Sequence, residues 1–238
     1  MLNSNRFFEN AAKGVNMLNG FIKISVDGTV ELVQHHADLR QRFCIQYSYE
    51  PKLTAAHSGL LDTLFTGCFG AESEEYGSLI LQMYGASICG VGTRLKEPKA
   101  FILYGQSAAN GKSTIQEVLR RILPHDVICS ISPGDMDKEQ YLAKLIGASA
   151  NLSDELSSAA AISSDKFKAV ITGDPVTAKI IYKEPMEFKP GALHILSTNV
   201  LPSFKGGIDA GIERRLLVIP FNRSIPVEER ISDFETKL

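Results

Sequence analysis

Tyr104-Gly105-Gln106-Ser107-Ala108-Ala109-Asn110-Gly111-Lys112-Ser113-Thr114 is the stretch on which the fold turns. A short apolar run, Ala100 to Tyr104, precedes it. After it, Ile115, Val118, Leu119 and Ile122 recur at helical spacing until Pro124 stops them. A loop of small and polar residues between a strand and a helix is where phosphate is held. Its backbone N–H groups turn inward, and the helix N-terminus adds partial positive charge. In that reading Gly105 to Thr114 bind a nucleotide, Lys112 reaches the β- and γ-phosphates, and the Ser113 hydroxyl ligates Mg²⁺. One departure stands in the spacing. Five residues, not four, separate Gly105 from Gly111, so Gln106 occupies the position where the pattern has its first glycine.

Outward from the loop, strand and helix signals alternate. Val127 to Ile131 reads as a strand, and Tyr141, Leu142, Leu145 and Ile146 mark a helix. Ser164 caps a helix through Phe167, Val170 and Ile171 that stops at Gly173. Thr177 to Tyr182 and Glu187 to Phe188 read as arms of a hairpin around Lys183-Glu184-Pro185. Leu193 to Thr198 and Leu216 to Phe221 are strands. Such alternation predicts a parallel α/β sheet. Upstream, Asp27-Gly28 between Phe21–Val26 and Thr29–Val33 predicts a hairpin whose two central residues have positive φ. Two amphipathic helices follow, one with Leu60, Leu61, Leu64, Phe65 and Cys68 on its apolar face, the other with Tyr76, Leu79, Ile80, Met83, Tyr84 and Ile88. Gly90 to Lys99 reads as a linker.

Composition narrows the functional classes. The 238 residues carry 25 Lys+Arg against 27 Asp+Glu, which excludes a basic histone-like binder and an acidic disordered tail. If nucleic acid is bound, positive charge has to be concentrated on a few loops. Cys44, Cys68, Cys89 and Cys129 stand at no redox or metal spacing, and His35-His36 has no ligand partner at zinc spacing. No stretch approaches 18 apolar residues and no signal peptide is seen, so the expected location is cytoplasmic, with no membrane partner.

A phosphate loop needs an acidic strand end. Ala148-Ser149-Ala150-Asn151-Leu152-Ser153-Asp154-Glu155 offers one, Asp154 holding Mg²⁺ through water and Glu155 polarising the attacking water. Taken alone, the pair reads as surface acids, which are common after a mildly apolar run. Asn199 closes the strand Leu193–Thr198, where it either orients the lytic water or makes a turn before Pro202. Arg214-Arg215 open the last strand, as a salt-bridged surface pair or as an arginine finger directed at a neighbouring subunit's nucleotide.

The order of Asn-Gly-Lys-Ser-Thr (110–114), Ser-Asp-Glu-Leu (153–156), Ile-Thr-Gly-Asp-Pro (171–175), Leu-Ser-Thr-Asn-x-x-Pro (196–202) and Arg-Arg-Leu-x-x-x-x-Phe (214–221) resembles the superfamily 3 helicases. The helicase portion of phage, plasmid and poxvirus primase–helicases is the nearest likeness. Phe167 to Asp174 and Phe188-Lys189-Pro190 are specific to that group, and the resemblance covers Phe21 to Phe221. Asn19-Gly20-Phe21, with Tyr47, Tyr49 and Pro51, resembles the small domain that precedes the ATPase core there.

The resemblance implies an α/β P-loop NTPase core of AAA+-like, superfamily 3 type, over residues 99–222. A small mixed α/β N-terminal accessory domain spans 1–98, and a C-terminal segment, expected to be truncated, begins at 223. It gives Lys112 and Ser113 their phosphate and Mg²⁺ roles, Asp154 and Glu155 the acidic pair with Glu155 as base, and Asn199 the polar sensor. Arg215 is the finger, with Arg214 as the alternative. The hairpin from Lys179 to Phe188 points into a ring channel, where Lys179 and Lys183 track DNA phosphates and Tyr182 stacks on a base. Lys183 as a solvated turn residue and Tyr182 as hairpin packing remain the plain alternatives.

The implied function is an ATP-dependent helicase or translocase in replication of a mobile element. Its cofactors are ATP and Mg²⁺. Its partners are single-stranded DNA, other copies of the chain in a ring, expected to be a hexamer, and a primase in cis or trans, since no primase sequence precedes Met1. The rivals are a DNA-bound ATPase that loads or remodels replication proteins without unwinding, a small-molecule P-loop kinase, and a relic that binds nucleotide without hydrolysis.

Overall fold

Strand β4 (Ala100–Tyr104) is apolar on both faces because it lies near the middle of a parallel sheet covered on both sides. A computed structural model describes residues 8, 11–53, 58–154, 161–231 and 234–237. Within it the sheet runs β10 (Leu216–Pro220), β4, β9 (Leu193–Thr198), β6 (Ala150–Ser153), β5 (Ile128–Cys129). All four pairings are parallel, with Tyr104 level with both Pro220 and Thr198, and Ser153 level with Leu196. The C-terminal ends of β4, β9 and β10 therefore meet at one edge, which is where ligands bind in open α/β sheets.

Alternation along the strands feeds two cores. Phe101, Leu103, Leu193 and Ile195 face one; Ala100, Ile102 and Leu196 face the other. On the first face lie α1 (Ser58–Phe69), α2 (Ser73–Ile88) and α3 (Lys112–Ile122), whose Leu64, Phe65, Cys68, Ile80, Met83, Ile115 and Leu119 share one cluster with the sheet. The Tyr84 hydroxyl donates to the Ile115 carbonyl at 2.6 Å and pins α2 to α3. A boundary at 98/99 thus runs through a continuous core, and Gly92 in the expected linker is buried against Leu193. On the second face lie α4 (Glu139–Leu142) and α5 (Ser164–Thr172).

A separate antiparallel sheet is made of β1 (Gly14–Met17), β2 (Gly20–Ile24) and β3 (Val30–Val33). The β2–β3 turn differs from the expected two-residue form. Gly28 alone has positive φ, at 84°; its N–H reaches Ser25 O at 3.0 Å, and Asp27 Oδ1 accepts from Thr29 N at 3.0 Å. One left-handed glycine after a turn is the bulged hairpin, which spares Asp27 the left-handed region.

Other differences are local. Helix α5 is stopped by Gly173 at φ 71°, as expected, but its cap residue is Ser163, and the Ser164 hydroxyl instead donates to Lys205 O at 2.9 Å. The Tyr141–Ile146 helix is one α-turn followed by a 3₁₀ turn, Ala143–Leu145. The hairpin strands are short, β7 (Val176–Ala178) and β8 (Met186–Phe188), and residues 179–185 form its loop. No helix among the described residues is long and apolar enough to cross a membrane.

Candidate nucleotide site

The loop 105–111 leaves β4 at the sheet's C-terminal edge and enters α3. Gly105 is buried with no room for a side chain. A Cβ there would strike the Phe221 carbonyl and come within 2.7 Å of Asn110 Nδ2. Gln106 is exposed, its amide donating to the Tyr104 hydroxyl at 3.1 Å. The glycine that the loop needs for close packing is therefore Gly105, one place ahead of the usual spacing. Asn110 is 4% exposed and braces the loop, its Nδ2 donating to Ser107 O at 2.7 Å. Ala109 and Gly111 take positive φ, 53° and 90°.

Gly111, as the N-cap of α3, supplies no side-chain cap. The Lys112 amide reaches Asn110 Oδ1 at 3.5 Å, and the Ser113 and Thr114 amides that follow are the donors a helix N-terminus offers an anion. Ser107 Oγ is buried with no partner among the described residues, a state that costs about 1–3 kcal/mol unless a ligand satisfies it. Lys112 is 8% exposed, and its ammonium donates to Gly105 O at 2.6 Å and to Asn199 Oδ1 at 3.2 Å. Burial pushes its pKa below the ordinary lysine value. Asn199, one residue past the end of β9, thus meets Lys112 at the loop. The cradle fits a polyphosphate: uncapped amides, an orphaned hydroxyl and a buried ammonium converge on one edge.

For Mg²⁺ the donor set also fits, since this ion takes one or two carboxylates or hydroxyls together with substrate phosphates and water. Ser113 is exposed in the first turn of α3, and Asp154 follows β6 with its carboxylate open to solvent. No hydrogen bond joins the two among the described residues. Asp154 Oδ2 pairs with Arg120 at 2.8 Å, two turns along α3 from Ser113, while Arg120 also reaches Gln116 Oε1 at 3.3 Å. Arg120 gave no signal as a site residue in the sequence; an arginine on an amphipathic helix reads as its solvated face. Glu155 lies outside the described residues.

The arginines stand elsewhere. Arg215 directly precedes β10, level with the start of β4, so the length of a five-residue strand, roughly 13–16 Å, separates it from the loop of its own chain. Its guanidinium donates to Gly211 O at 2.6 Å and its Nε is buried without a partner among the described residues. Burial, with Arg214 alongside, lowers its pKa, opposed by Asp174 and Asp209. Arg214 is exposed. Lys179, Tyr182 and Lys183 are exposed on the hairpin loop, with Tyr182 at φ 62° and Ile181 72% exposed beside it. The Lys179 amide donates to Glu139 O at 3.1 Å and ties the base of that loop to α4.

Residues 223–231, which carry no motif, close over the phosphate loop. Ser224 Oγ donates to Ala108 O at 3.3 Å and Ile225 N to Ala109 O at 2.9 Å. Arg223 donates to Gly67 O at 2.6 Å at the end of α1 and grips Glu229 with two bonds of 2.7 and 2.6 Å. This strap and α1 wall a cavity of about 240 Å³ against the loop.

A family of unknown function, DUF5906, matches residues 103–215. The chain is 35% identical over 142 residues to the protein named "Putative helicase L207/L206" of Acanthamoeba polyphaga mimivirus, an alignment covering 57% of this chain and 14% of that protein. The A-form apo structure of the NrS-1 C-terminal region superposes with a TM-score of 0.55 at 18% identity, covering 75% of this chain and 41% of that one. A second structure of the same region gives 0.53 at 16% identity, with the same coverage. The chain therefore spans less than half the length of each of these relatives. With the strand order, the phosphate loop and these likenesses together, the fold is that of an α/β P-loop NTPase.

Proposed function

We propose that the chain is the motor core of an ATP-dependent helicase or translocase, acting on single-stranded DNA as a ring of identical subunits in the replication of a phage, plasmid or related element. The observation that carries this is the meeting of Lys112 with Asn199 and Gly105 on the sheet's C-terminal edge. A buried ammonium already held between a loop carbonyl and a strand-end amide is set to exchange those partners for phosphate oxygens. The name of the mimivirus relative supports the choice of helicase over kinase.

In this mechanism the loop amides and Lys112 hold the β- and γ-phosphates, and Asn199 positions the attacking water. Glu155 takes its proton. Ser113 and Asp154 would hold Mg²⁺, which when bound neutralises charge on the phosphate oxygens. The end of the sheet carrying Arg215 and Arg214 lies away from the loop, so in a ring the Arg215 guanidinium, with Arg214 as the alternative, serves the neighbour's nucleotide. Such a finger is worth on the order of 10³–10⁵ in rate. The hairpin loop bearing Lys179, Tyr182 and Lys183 grips the strand through phosphates and stacking. A primase works with the motor in cis or in trans.

The test is ATP hydrolysis against protein concentration, with and without single-stranded DNA. The expected result is a rate per subunit that rises with concentration and with DNA, and that falls at least 10³-fold in Arg215→Ala or Arg214→Ala while ATP still binds. A rate per subunit that ignores concentration, DNA and both arginines refutes the motor.

A further inference from the structure

One run of hydrogen bonds crosses from α3 to the end of β6. Gln116 is fully buried, and its Nε2 donates to Ser153 O at 3.4 Å. Its Oε1 accepts from Arg120 Nη1 at 3.3 Å, and Arg120 Nη2 donates to Asp154 Oδ2 at 2.8 Å. Two successive residues at the end of β6 are therefore held from one helix, Ser153 by its carbonyl and Asp154 by its side chain. Among the described residues only Oδ2 of Asp154 is engaged, and Oδ1 stays open.

The spacing on α3 gives this run a meaning. Ser113, Gln116 and Arg120 stand at i, i+3 and i+7, which is one face of a helix. Helical side chains lean back toward the N-terminus, which carries the Arg120 guanidinium over the turn of Gln116 and toward the loop. The same rigid element thus bears the Ser113 hydroxyl and the clamp on the Asp154 carboxylate. Arg121 contrasts with its neighbour: its guanidinium pairs along its own helix with Glu117, at 3.4 Å. The Arg120–Asp154 pair is open to solvent, its side chains 30% and 61% exposed, and an exposed pair adds little to folding. Its effect is to fix a carboxylate that would otherwise turn freely.

We infer that Arg120 is a positioning residue for the divalent cation of the proposed nucleotide site. It holds Asp154 by Oδ2 and leaves Oδ1 available, while Gln116 fixes Arg120 from behind. The inference rests on the phosphate-loop function proposed above and adds to it the residue that orients the acidic ligand. Carboxylates that hold metals are themselves hydrogen-bonded, and losing such an outer partner costs about 10–100-fold in metal affinity. Arginine suits the task because its planar fork makes both bonds at once, whereas a lysine ammonium is a single point charge.

Manganese binding is read by electron paramagnetic resonance on the full chain saturated with a non-hydrolysable ATP analogue, adenylyl imidodiphosphate. Calorimetry gives the affinity for the analogue with the metal chelated. Wild type is compared with Arg120→Ala, Arg120→Lys, Asp154→Asn and the Arg120→Ala/Asp154→Asn double variant. Expected is a manganese affinity about 10–100-fold weaker in Arg120→Ala and intermediate in Arg120→Lys, with the metal-free affinity for the analogue within about twofold of wild type in both. In the Asp154→Asn background, Arg120→Ala should change manganese affinity by less than about twofold, because the two side chains act as one unit. Arg120→Lys carries the test should Arg120→Ala fail to fold. Unchanged manganese affinity overturns the inference and leaves the nucleotide site standing. A tighter affinity does the same, since Arg120 is then a counter-ion competing with the metal. An equal loss of manganese affinity in the Asp154→Asn background, or an equal loss of analogue affinity with the metal chelated, makes Arg120 a general prop of the site and also overturns the inference. A wild-type chain that binds the analogue neither with metal nor without it overturns the nucleotide site, and the inference with it.

Discussion

Replacing Gly111 by alanine should destabilise the protein through two separable effects. Gly111 sits at φ 90°, and a left-handed conformation costs a residue with a Cβ about 1–2 kcal/mol. The new methyl would also collide with the Cys68 sulfur, which is 1% exposed in the core beneath the loop. Overpacking of this kind costs about 1–3 kcal/mol. The sum is roughly 2–5 kcal/mol, and at about 2–4 °C per kcal/mol for a chain of this size the midpoint falls by roughly 4–20 °C. Cys68→Ala removes the colliding atom. By itself it costs about 1 kcal/mol, comparable to losing one buried methyl. In the double variant the collision disappears and the backbone cost stays, giving a favourable coupling of about 1–3 kcal/mol. Urea unfolding of the four proteins, followed by circular dichroism, closes the cycle. A Gly111→Ala cost below about 0.5 kcal/mol, or coupling indistinguishable from zero, would refute the packing of the loop's last glycine on α1.

Acid sensitivity should carry the signature of His194. It is fully buried in β9, accepts from Asn151 Nδ2 at 3.0 Å, and burial pushes its pKa down to about 4. The folded protein keeps it neutral down to about pH 4, while the unfolded chain protonates it near 6.5. Between those values the unfolded state binds the extra proton, so stability falls as pH drops, by about 3 kcal/mol in all. The stability difference between wild type and His194→Gln, followed from pH 7 to 4, should shrink by that order; a constant difference removes His194 as its source. Arg223→Ala should free the strap, since it deletes bonds to Gly67 O and Glu229. Hydrogen exchange should quicken at the Ile225 amide by about tenfold or more, with a smaller change in the sheet; protection left intact there would mean the apolar contacts alone hold the strap.

Elements whose signal is local were legible from sequence. The stripes of α1 and α2 and the strand–loop–helix around Lys112 follow from spacing alone. The meeting of Asn199 with Lys112 depends on the parallel register of β4 and β9, which no local signal carries. What failed to show has physical reasons. Strand β1 is four residues long and carries too little alternation to stand out. Ile180-Ile181-Tyr182 has strand-forming residues but forms a loop, because β8 offers partners only for Val176–Ala178. The strap has no periodicity at all: Arg223, Ser224 and Ile225 acquire meaning through atoms more than a hundred residues away, at Gly67, Ala108 and Ala109.

That last fact sets a clock. Thr66 and Gly67 precede Arg223 by more than 150 positions, and Ala108 precedes Ser224 by 116. At about 5–20 residues per second on the ribosome, the phosphate loop emerges roughly 5–20 s before the segment that covers it. During that interval the nascent chain holds an open, uncovered cradle with one wall of its cavity missing. The cavity is closed by a segment made long after the loop, so a covered cradle reports that synthesis has run past residue 231.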